Sequence, residues 1–470
     1  MKKLLIALLI AIAAVAVITP KIMGSQYQKQ LTDVVKTINA TPPYHATIVK
    51  SKNGWFGSQT TLQIEVDLKK VDPELAHELK QSDFKSELTL QAHYGPVIMD
   101  KGFKLALFSF NGQIQGDDLR KSIKWDKNTP LFTLSGLQTL SGKLTFQDTI
   151  APFTATLPSE SKSNVIFSGY QGHGSWANHH LTYDSKLDHA SIQDVSTLEV
   201  KGLSTTLNFD GDLKDLTSGG LKNSDMTIKM AALQVDPLFT AKGVVFQANS
   251  QLNGADQVGS LALKTNINQL NSQDENVSNF SMNVTLNQLN NQFFKDYVAF
   301  NQQLDPKNTT DRTQAMTQFM HDHIGEFFKT TPELVINNVK GTLPNGKFNA
   351  QFDGHLTVPH DKMTFEQLSQ PDYWLANANV STAINADKAL VKDLAKFAIE
   401  DQLADNPNIH SLTTQEYNQL VSHQADVLIK QAMDQGAVVV KDGMYHLDVS
   451  VKKGKALLNG KPSALLDGQN

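Results

Sequence analysis

Two neighbouring stretches decide the fold, because each places apolar residues at every second position. Residues 260–286 read SLALKTNINQLNSQDENVSNFSMNVTL. Leu261 and Leu263 alternate with other residues in the first stretch, as Met282 and Val284 do in the second. Because successive side chains of a β-strand point to opposite faces, each stretch predicts a strand with one apolar and one wet face.

The same period of two recurs on both sides of these stretches. Further strands are predicted at residues 62–68, 88–92, 203–209, 226–230, 348–358 and 445–451. Turns between strands are predicted at Asn111-Gly112, Asp210-Gly211, Asn253-Gly254 and Asn345-Gly346. Strands that follow one another without long helices between them predict an antiparallel meander rather than a parallel sheet with crossovers.

Helical periodicity occurs in three places. Residues 27–38 predict a short amphipathic helix that Pro42-Pro43 stops. Apolar residues recur at steps of three and four over residues 286–304, and Asp311 resembles the capped start of a second helix. The block over residues 386–435 carries a further stripe, Leu390, Leu394 and Phe397. The last two blocks predict helical hairpins on the sheet, since no stripe persists for three or four heptads.

These patterns predict an α+β, β-dominated fold: long curved antiparallel sheets with two helical hairpins packed on them, plus an N-terminal membrane helix. A chain of 470 residues exceeds the usual size of one hydrophobic core, so several domains are expected. Residues 1–23 are assigned to a signal anchor, residues 24–285 to a β-rich domain, and residues 286–470 to an α+β domain.

The N-terminus carries a short apolar segment. Lys2 and Lys3 precede 15 uncharged residues, 4–18. This is shorter than the roughly 20 residues that span a bilayer comfortably, although Lys21 could snorkel to the interface. Small-residue cleavage patterns lie inside the run rather than after it, which favours an uncleaved inner-membrane anchor with a cytoplasmic N-terminus and a periplasmic body. The alternative is a soluble periplasmic protein after signal cleavage.

Composition excludes several classes of function. The net charge is −5 with both signs well mixed, so the basic surface that nucleic-acid binding requires is missing. The chain has no cysteine, which excludes thiol nucleophiles, thiolate metal sites and disulfides.

Short motifs in three parts of the chain carry a family resemblance. They are Gly54-Trp55-Phe56-Gly57-Ser58, the pair Pro332-Glu333-Leu334-Val335-Ile336 and Leu343-Pro344-Asn345-Gly346-Lys347, and Val451-Lys452-Lys453-Gly454-Lys455 with the residues that follow. Together with the N-terminal segment, the chain resembles the YdgA-like family of bacterial envelope proteins, a domain of unknown function. The resemblance implies a Gram-negative inner-membrane or periplasmic setting, and the family offers no established catalytic residues to carry over.

Trp55 and Phe56 are the candidate contact residues for a membrane or a partner. They stand between Gly54 and Gly57, which permit a tight backbone turn. One interpretation is an exposed aromatic tip. The other is a hairpin start whose two rings are pinned against the sheet.

No catalytic, cofactor or metal site is predicted. Zinc needs three or four converging ligands, but His179 and His180 are adjacent and would point to opposite faces of a strand. His321 and His323, two positions apart in a helical block, lie on nearly opposite faces. No Gly-x-Ser-x-Gly elbow and no Gly-rich phosphate loop occurs.

The preferred hypothesis is therefore a non-enzymatic envelope protein, held in the inner membrane through residues 4–18, that binds a lipid, another apolar ligand or an envelope protein on its sheet. A self-associating assembly module, including a homodimer, is the alternative, and an envelope hydrolase ranks last. The hypotheses differ on one structural question: whether the apolar face of the sheet is filled or open.

Overall fold

The chain is β-dominated. The computed structural model describes residues 2–71, 76, 83–99, 102–156, 163–194, 196–216, 219–254, 257–272, 275–304, 309–357, 363–404, 412–452 and 454–462, and residues 2–18 by their backbone only. Within these ranges strands outnumber every other element, and a long antiparallel sheet and seven α-helices are present. The β-dominated and antiparallel parts of the predicted fold class are thereby confirmed.

The chain divides into two compact units. The first comprises Met1–Pro237 and Phe294–Met316, and the second comprises Leu238–Phe293 and Thr317–Asn470. The domain limits expected at residues 23 and 285 stay a prediction.

The α-helices differ widely in length, from four residues to 38. The α-helices are α1 Lys2–Asn39, α2 Leu68–Val71, α3 Asn291–Gln303, α4 Thr309–Phe328, α5 Pro371–Asn377, α6 Lys388–Ala404 and α7 Thr414–Asp434. The 3-10 helices are Asp117–Lys121, Leu213–Leu216 and Phe365–Ser369.

The first unit holds strands β1 to β15. They are β1 Tyr44–Asn53, β2 Gly57–Asp67, β3 Asp83–Tyr94, β4 Val97–Ile98, β5 Lys104–Leu105, β6 Phe108–Ile114, β7 Ile123–Lys124, β8 Phe132–Gln138, β9 Leu144–Ile150, β10 Phe153–Thr156, β11 Asn164–Phe167, β12 Tyr170–Ala177, β13 His180–Gln193, β14 Thr197–Asp210 and β15 Ser224–Val235. Antiparallel pairing runs β1-β2-β3-β6-β8-β9-β12-β13-β14-β15, and β4 with β5 forms a separate hairpin.

The second unit holds strands β16 to β25. They are β16 Phe239–Asn253, β17 Val258–Ser272, β18 Asn276–Asn290, β19 Glu333–Leu343, β20 Gly346–Leu356, β21 Ala378–Ala386, β22 Val439–Lys441, β23 Met444–Lys452, β24 Lys455–Leu458 and β25 Lys461–Pro462. Antiparallel pairing runs β16-β17-β18-β19-β20-β21-β23-β24-β25, so chain neighbours are mostly sheet neighbours, as the predicted meander requires.

Helix α1 supplies the core of the first unit. Its Tyr27 ring lies 5.2 Å from the Phe108 ring in an edge-on arrangement, and Leu31 is buried beside it. The core cluster consists of Tyr27, Leu31, Leu62, Leu88, Leu90, Ala92, Tyr94 and Phe108. The predicted strands at residues 62–68 and 88–92 thus bury their apolar faces under this helix, as a one-faced strand requires.

Helix α1 is also longer than expected. The separate helix predicted over residues 27–38 is instead the end of one helix that begins at Lys2 and contains a buried Pro20. Gly24 permits its close approach to the sheet, since a Cβ there would lie 2.6 Å from the Tyr94 ring. The helix ends at Asn39, close before Pro42-Pro43 as predicted.

Several predicted boundaries were wrong. Asn111-Gly112 is no turn but lies inside β6, because a glycine there leaves room for Leu90, whose Cδ2 would be 2.7 Å from a Cβ. Strand β2 ends one residue before Leu68, which begins α2. The strand that contains Leu286 continues to Asn290 before α3 begins, and Asp311 lies inside α4 rather than before it.

Helices also pack on the sheet of the second unit. Residues of α4 and α5 form a cluster with the ends of β20 and β21: Ile324, Phe328, Leu356, Met363 and Ala378 are its buried members. Helices α6 and α7 pack along each other, and α6 contacts β20 and β23.

Across the described residues, no helix combines the length and the apolar character that crossing a membrane requires. The anchor predicted at residues 4–18 lies outside the residues whose side chains are described.

Candidate functional site

The candidate ligand-binding surface is the apolar face of the sheet in the second unit. Antiparallel register aligns its side chains into rows that cross the strands. One row runs through Leu263, Val284, Ile336, Phe352, Thr382 and Val449, and the next through Leu261, Leu286, Leu334, Gly354, Val380 and Val451. These twelve residues are called the apolar face below. Neighbours in a row lie within contact distance, so the two rows form a mostly apolar strip that Gly354 and Thr382 interrupt.

This face is only partly covered. All twelve of its residues are half-buried, and none is fully buried, although most are apolar. Complete burial occurs where helices pack, as at Leu356 and Ala378, and at the far strand, where Ala456 and Leu458 continue the two rows. Val380 packs against the helix cluster, and all twelve residues keep part of their surface accessible to water. An acyl chain or another apolar ligand laid on that accessible surface would lose contact with water.

A polar cluster lies on the first unit's sheet, on the same face as Phe146. The Tyr183 hydroxyl lies 3.1 Å from both carboxylate oxygens of Asp148 and hydrogen-bonds to the Tyr170 hydroxyl. Gly172 makes room for this contact, because a Cβ there would lie 2.1 Å from the Tyr183 oxygen. Burial raises the pKa of the Asp148 carboxyl above its ordinary value, although the hydrogen bond from Tyr183 opposes the shift. Burial, followed by the bond to Tyr170, raises the pKa of Tyr183 as well.

Asp148→Asn is expected to flatten the pH dependence of stability at mildly acidic pH. The folded protein holds the Asp148 proton more tightly than the unfolded chain, so the free energy of unfolding falls as the pH rises from 3.8 through the folded pKa. The substitution removes this fall and makes the protein more stable than wild type above that window. Tyr183→Phe, which removes the opposing hydrogen bond, should steepen it. Urea unfolding at a series of pH values measures both, and equal pH slopes in all three proteins would contradict the assignment.

Trp55 and Phe56 occupy the β1–β2 tip and are exposed by 47% and 60%. The backbone N–H of Gly54 donates to the Gly57 oxygen (2.8 Å), which closes the tip. The N–H of Tyr94 donates to the Phe56 oxygen (2.8 Å), which holds the tip beside β3. The structure thus places both rings outward rather than against the sheet, as the exposed-tip interpretation requires, and leaves their contact role a prediction.

The histidines between residues 173 and 189 do not converge on one point. His179 lies in a turn with φ 60° and not in a strand as expected, because β13 begins only at the next residue. Each histidine pairs with a different carboxylate. The pairs are His173 with Asp184 (3.8 Å), His179 with Asp212 (2.5 Å), His180 with Asp210 (2.6 Å) and His189 with Glu199 (2.9 Å). In the helical block, His321 lies between Asp322 (3.4 Å) and Glu366 (3.5 Å), while His323 stacks on Phe319.

One cluster with metal-ligand chemistry escaped the sequence reasoning. Ligand atoms of Glu333, Asp353 and His355 all lie within 4.8 Å of one another on β19 and β20. Glu333 pairs with His355 across the ladder, and Asp353 shares the strand face of His355 two positions away. One feature of the sequence could have indicated this cluster: Asp353 and His355 lie two positions apart in a predicted strand and therefore on the same face. Asn287 donates to Glu333 (2.7 Å), so the cluster has a protein hydrogen-bond partner already.

A groove of about 500 Å³ lies on the sheet of the first unit, lined by residues of β6, β8, β9, β12 and β13. Its polar lining comes mainly from Ser109, Asn111, Ser135, Thr145, Gln147, His173, Ser175, Thr182 and Asp184. Ser175 Oγ lies 3.0 Å from Thr182 Oγ1, whereas the His173 imidazole pairs with Asp184. The Ser175 hydroxyl is therefore partnered by the Thr182 hydroxyl and not by His173. The groove offers hydrogen bonds to a polar ligand but no paired nucleophile and base.

Comparison with known proteins gives one match. A family model described as "Bacterial protein of unknown function (DUF945)" matches residues 1–465. Neither the curated proteins nor the solved structures contain a match to the chain.

Proposed function

We propose that this chain, which belongs to the DUF945 family of bacterial proteins of unknown function, is a non-enzymatic inner-membrane protein that holds the acyl chain of a lipid on its apolar face. The observation that carries the proposal is that no residue of the apolar face is completely buried, so each keeps part of its surface accessible to water. The YdgA-like resemblance adds the Gram-negative envelope setting to this proposal.

The dimensions of the apolar face support an elongated ligand. Neighbouring strands of a sheet lie about 4.8 Å apart, so a row that crosses six strands extends over roughly 24 Å. A row therefore matches an extended acyl chain better than a compact ligand. Since burying apolar surface releases about 25 cal/mol per Å², a chain covering several rows would be held without any polar anchor.

The anchor is the second part of the proposal. Residues 4–18 are uncharged, and Lys2 and Lys3 before them favour a cytoplasmic N-terminus. We expect the mature protein to retain Met1 and to fractionate with inner membranes. N-terminal sequencing tests this, and a mature start near Lys21 or Gly24 would replace the anchor by a cleaved signal and a soluble periplasmic body.

Protein purified in mild detergent is expected to carry bound lipid. Extraction into organic solvent followed by mass spectrometry should recover about one phospholipid per chain. An envelope protein of similar size with a filled core, purified in the same detergent, controls for lipid carried by the micelle. Recovery no greater than in this control would refute the lipid proposal.

Self-association is the second candidate function, and the exposure of α6 favours it. Leu390, Ala395 and Ile399 of this helix are buried, whereas Leu394 and Phe397 are exposed. The predicted stripe thus divides between two faces, and the outer one would suit a second copy of the chain. Crosslinking in intact cells should recover a homodimer that Phe397→Lys abolishes, and a strictly monomeric protein would contradict this role.

A further inference from the structure

The β4–β5 hairpin in the first unit presents its apolar side to solvent. Ile98 and Ala106 face inward and are buried, whereas Met99 and Phe103 are exposed by 83% and 68%. Leu105, paired with Val97 across the hairpin, is exposed as well. A hairpin on a protein surface normally turns polar residues outward, so the apolar side of this one offers a surface for a partner.

Two neighbouring connections add apolar residues at the same end of the sheet. The tip with Trp55 and Phe56 is joined to β3 through the Tyr94 N–H. The N–H of Leu107, just after the β4–β5 hairpin, donates to the Gln138 oxygen (2.8 Å), beside the β8–β9 turn that exposes Leu140. These three connections are therefore adjacent. Their exposed residues Trp55, Phe56, Met99, Phe103, Leu105 and Leu140 are called the apolar rim below.

Helix α1 leaves the sheet at this rim. Gln28 donates to Asn53 (3.1 Å) and Ser58 (3.3 Å), both next to the aromatic tip, and Lys21 lies 5.8 Å from the centre of the Trp55 ring. At its other end Asn39 bonds to the backbone of Ala46, near the start of β1. The helix therefore crosses the sheet toward the rim in the N-terminal direction, and the apolar residues 4–18 continue from there.

Among the described residues around the rim, lysine is the only charged residue, while Asp100 and Lys101 of the β4–β5 connection lie outside them. The described residues of segments 19–29, 50–59, 91–99, 102–110 and 136–146 contain six lysines and no aspartate or glutamate. They are Lys21, Lys29, Lys50, Lys52, Lys104 and Lys143. In a protein of net charge −5 this is a local excess, and it complements anionic lipid headgroups.

We infer that the apolar rim docks the first unit onto the surface of the bilayer that holds residues 4–18, with its lysines among anionic headgroups. Aromatic and aliphatic side chains bordered by lysines are the composition of segments that lie in a membrane interface. A membrane fits better than a protein partner, because the rim lies where the apolar segment leaves the folded unit. The inference rests on the proposed anchor but not on lipid binding by the apolar face.

The absence of cysteine allows a direct test on the full chain. The variants Phe103→Cys and Leu140→Cys would each carry a nitroxide label in nanodiscs containing phosphatidylglycerol. The control is Asn128→Cys, since Asn128 is exposed in the loop before β8 at the opposite end of the sheet. Accessibility to oxygen, relative to a water-soluble nickel complex, should be at least about threefold higher at Phe103 and Leu140 than at Asn128. Folding of each variant is checked by thermal unfolding.

Three results would overturn the inference and identify its weak point. Equal accessibility at all three sites, in protein that stays in the nanodisc, would refute rim docking and leave the anchor intact. Protein that does not stay in the nanodisc would refute the anchor and with it the docking. Labels at Phe103 and Leu140 that both reagents fail to reach would show that a second copy of the chain covers the rim instead.

Discussion

Leu263→Glu is expected to abolish lipid retention by the detergent-purified protein. Leu263 lies on β17 at one end of the first row of the apolar face, and its partners on the neighbouring strands are Ala248 and Val284. A carboxylate at this position either remains charged beside the acyl chain or takes up a proton. Both states reduce the free energy of lipid binding by at least about 2 kcal/mol. Since 1.4 kcal/mol is tenfold in affinity, retention should fall by roughly 30-fold or more. Quantitative mass spectrometry of extracted lipid measures the loss.

The matched control is Ala262→Glu, which adds the same charge to the same strand on its opposite face. This variant should keep wild-type lipid, because its carboxylate points away from the apolar face. Circular dichroism and thermal unfolding of both variants show that each has folded. If Leu263→Glu folds and retains lipid as wild type does, the apolar face is not the binding surface.

Phe108→Ala is expected to destabilise the first unit by about 3–5 kcal/mol, the usual cost of removing a buried phenylalanine ring. Phe108 is 2% exposed, faces Tyr94 across the β3–β6 ladder and packs edge-on against Tyr27. The substitution removes both contacts and leaves a cavity under α1 that a rigid sheet cannot close. Hydrogen exchange of peptides from β3 and β6 reports the loss locally.

Phe103→Ala provides the comparison, since it makes the same chemical change five residues earlier on a 68% exposed side chain. We expect its effect on stability to stay within about 0.5 kcal/mol. Similar exchange rates in the two variants would contradict the core assigned to α1. A folded Phe103→Ala protein would also serve to test the apolar rim without loss of the unit.

The strands were predictable because their signal is local. Leu261 and Leu263 alternate with other residues in the chain, and alternation is itself the geometry of a strand, so no distant contact is needed to recognise it. The boundaries were less predictable where packing overrides the local pattern. Gly112 is typical of a turn, but it lies within β6 because Leu90 of the neighbouring strand needs the space that a side chain would occupy. Only the pairing of β3 with β6 creates that requirement.

Some residues of the candidate surfaces were likewise predictable from the local sequence, and others were not. Trp55 and Phe56 were identified from sequence as a tip, whereas Met99, Phe103 and Leu140 were not, because nothing in their local sequence shows which face of a hairpin or turn is covered. The cluster of Glu333, Asp353 and His355 likewise depends on the register of β19 with β20. Register is set by many side chains acting together and cannot be read from one strand.

By itself the sequence determined the elements: one-faced strands in series, helical blocks between some of them, and an uncharged N-terminal segment after two lysines. Each follows from the periodicity or composition of a short stretch, which a chain carries before it folds. Tertiary structure alone decided which apolar faces are covered. Helix α1 buries Phe108, while Leu263 and the rest of the apolar face are only partly buried. Whether the apolar face of a strand is buried depends on which distant segment packs on it. The residues of the strand show that this face needs burial, but they do not specify the segment that buries it.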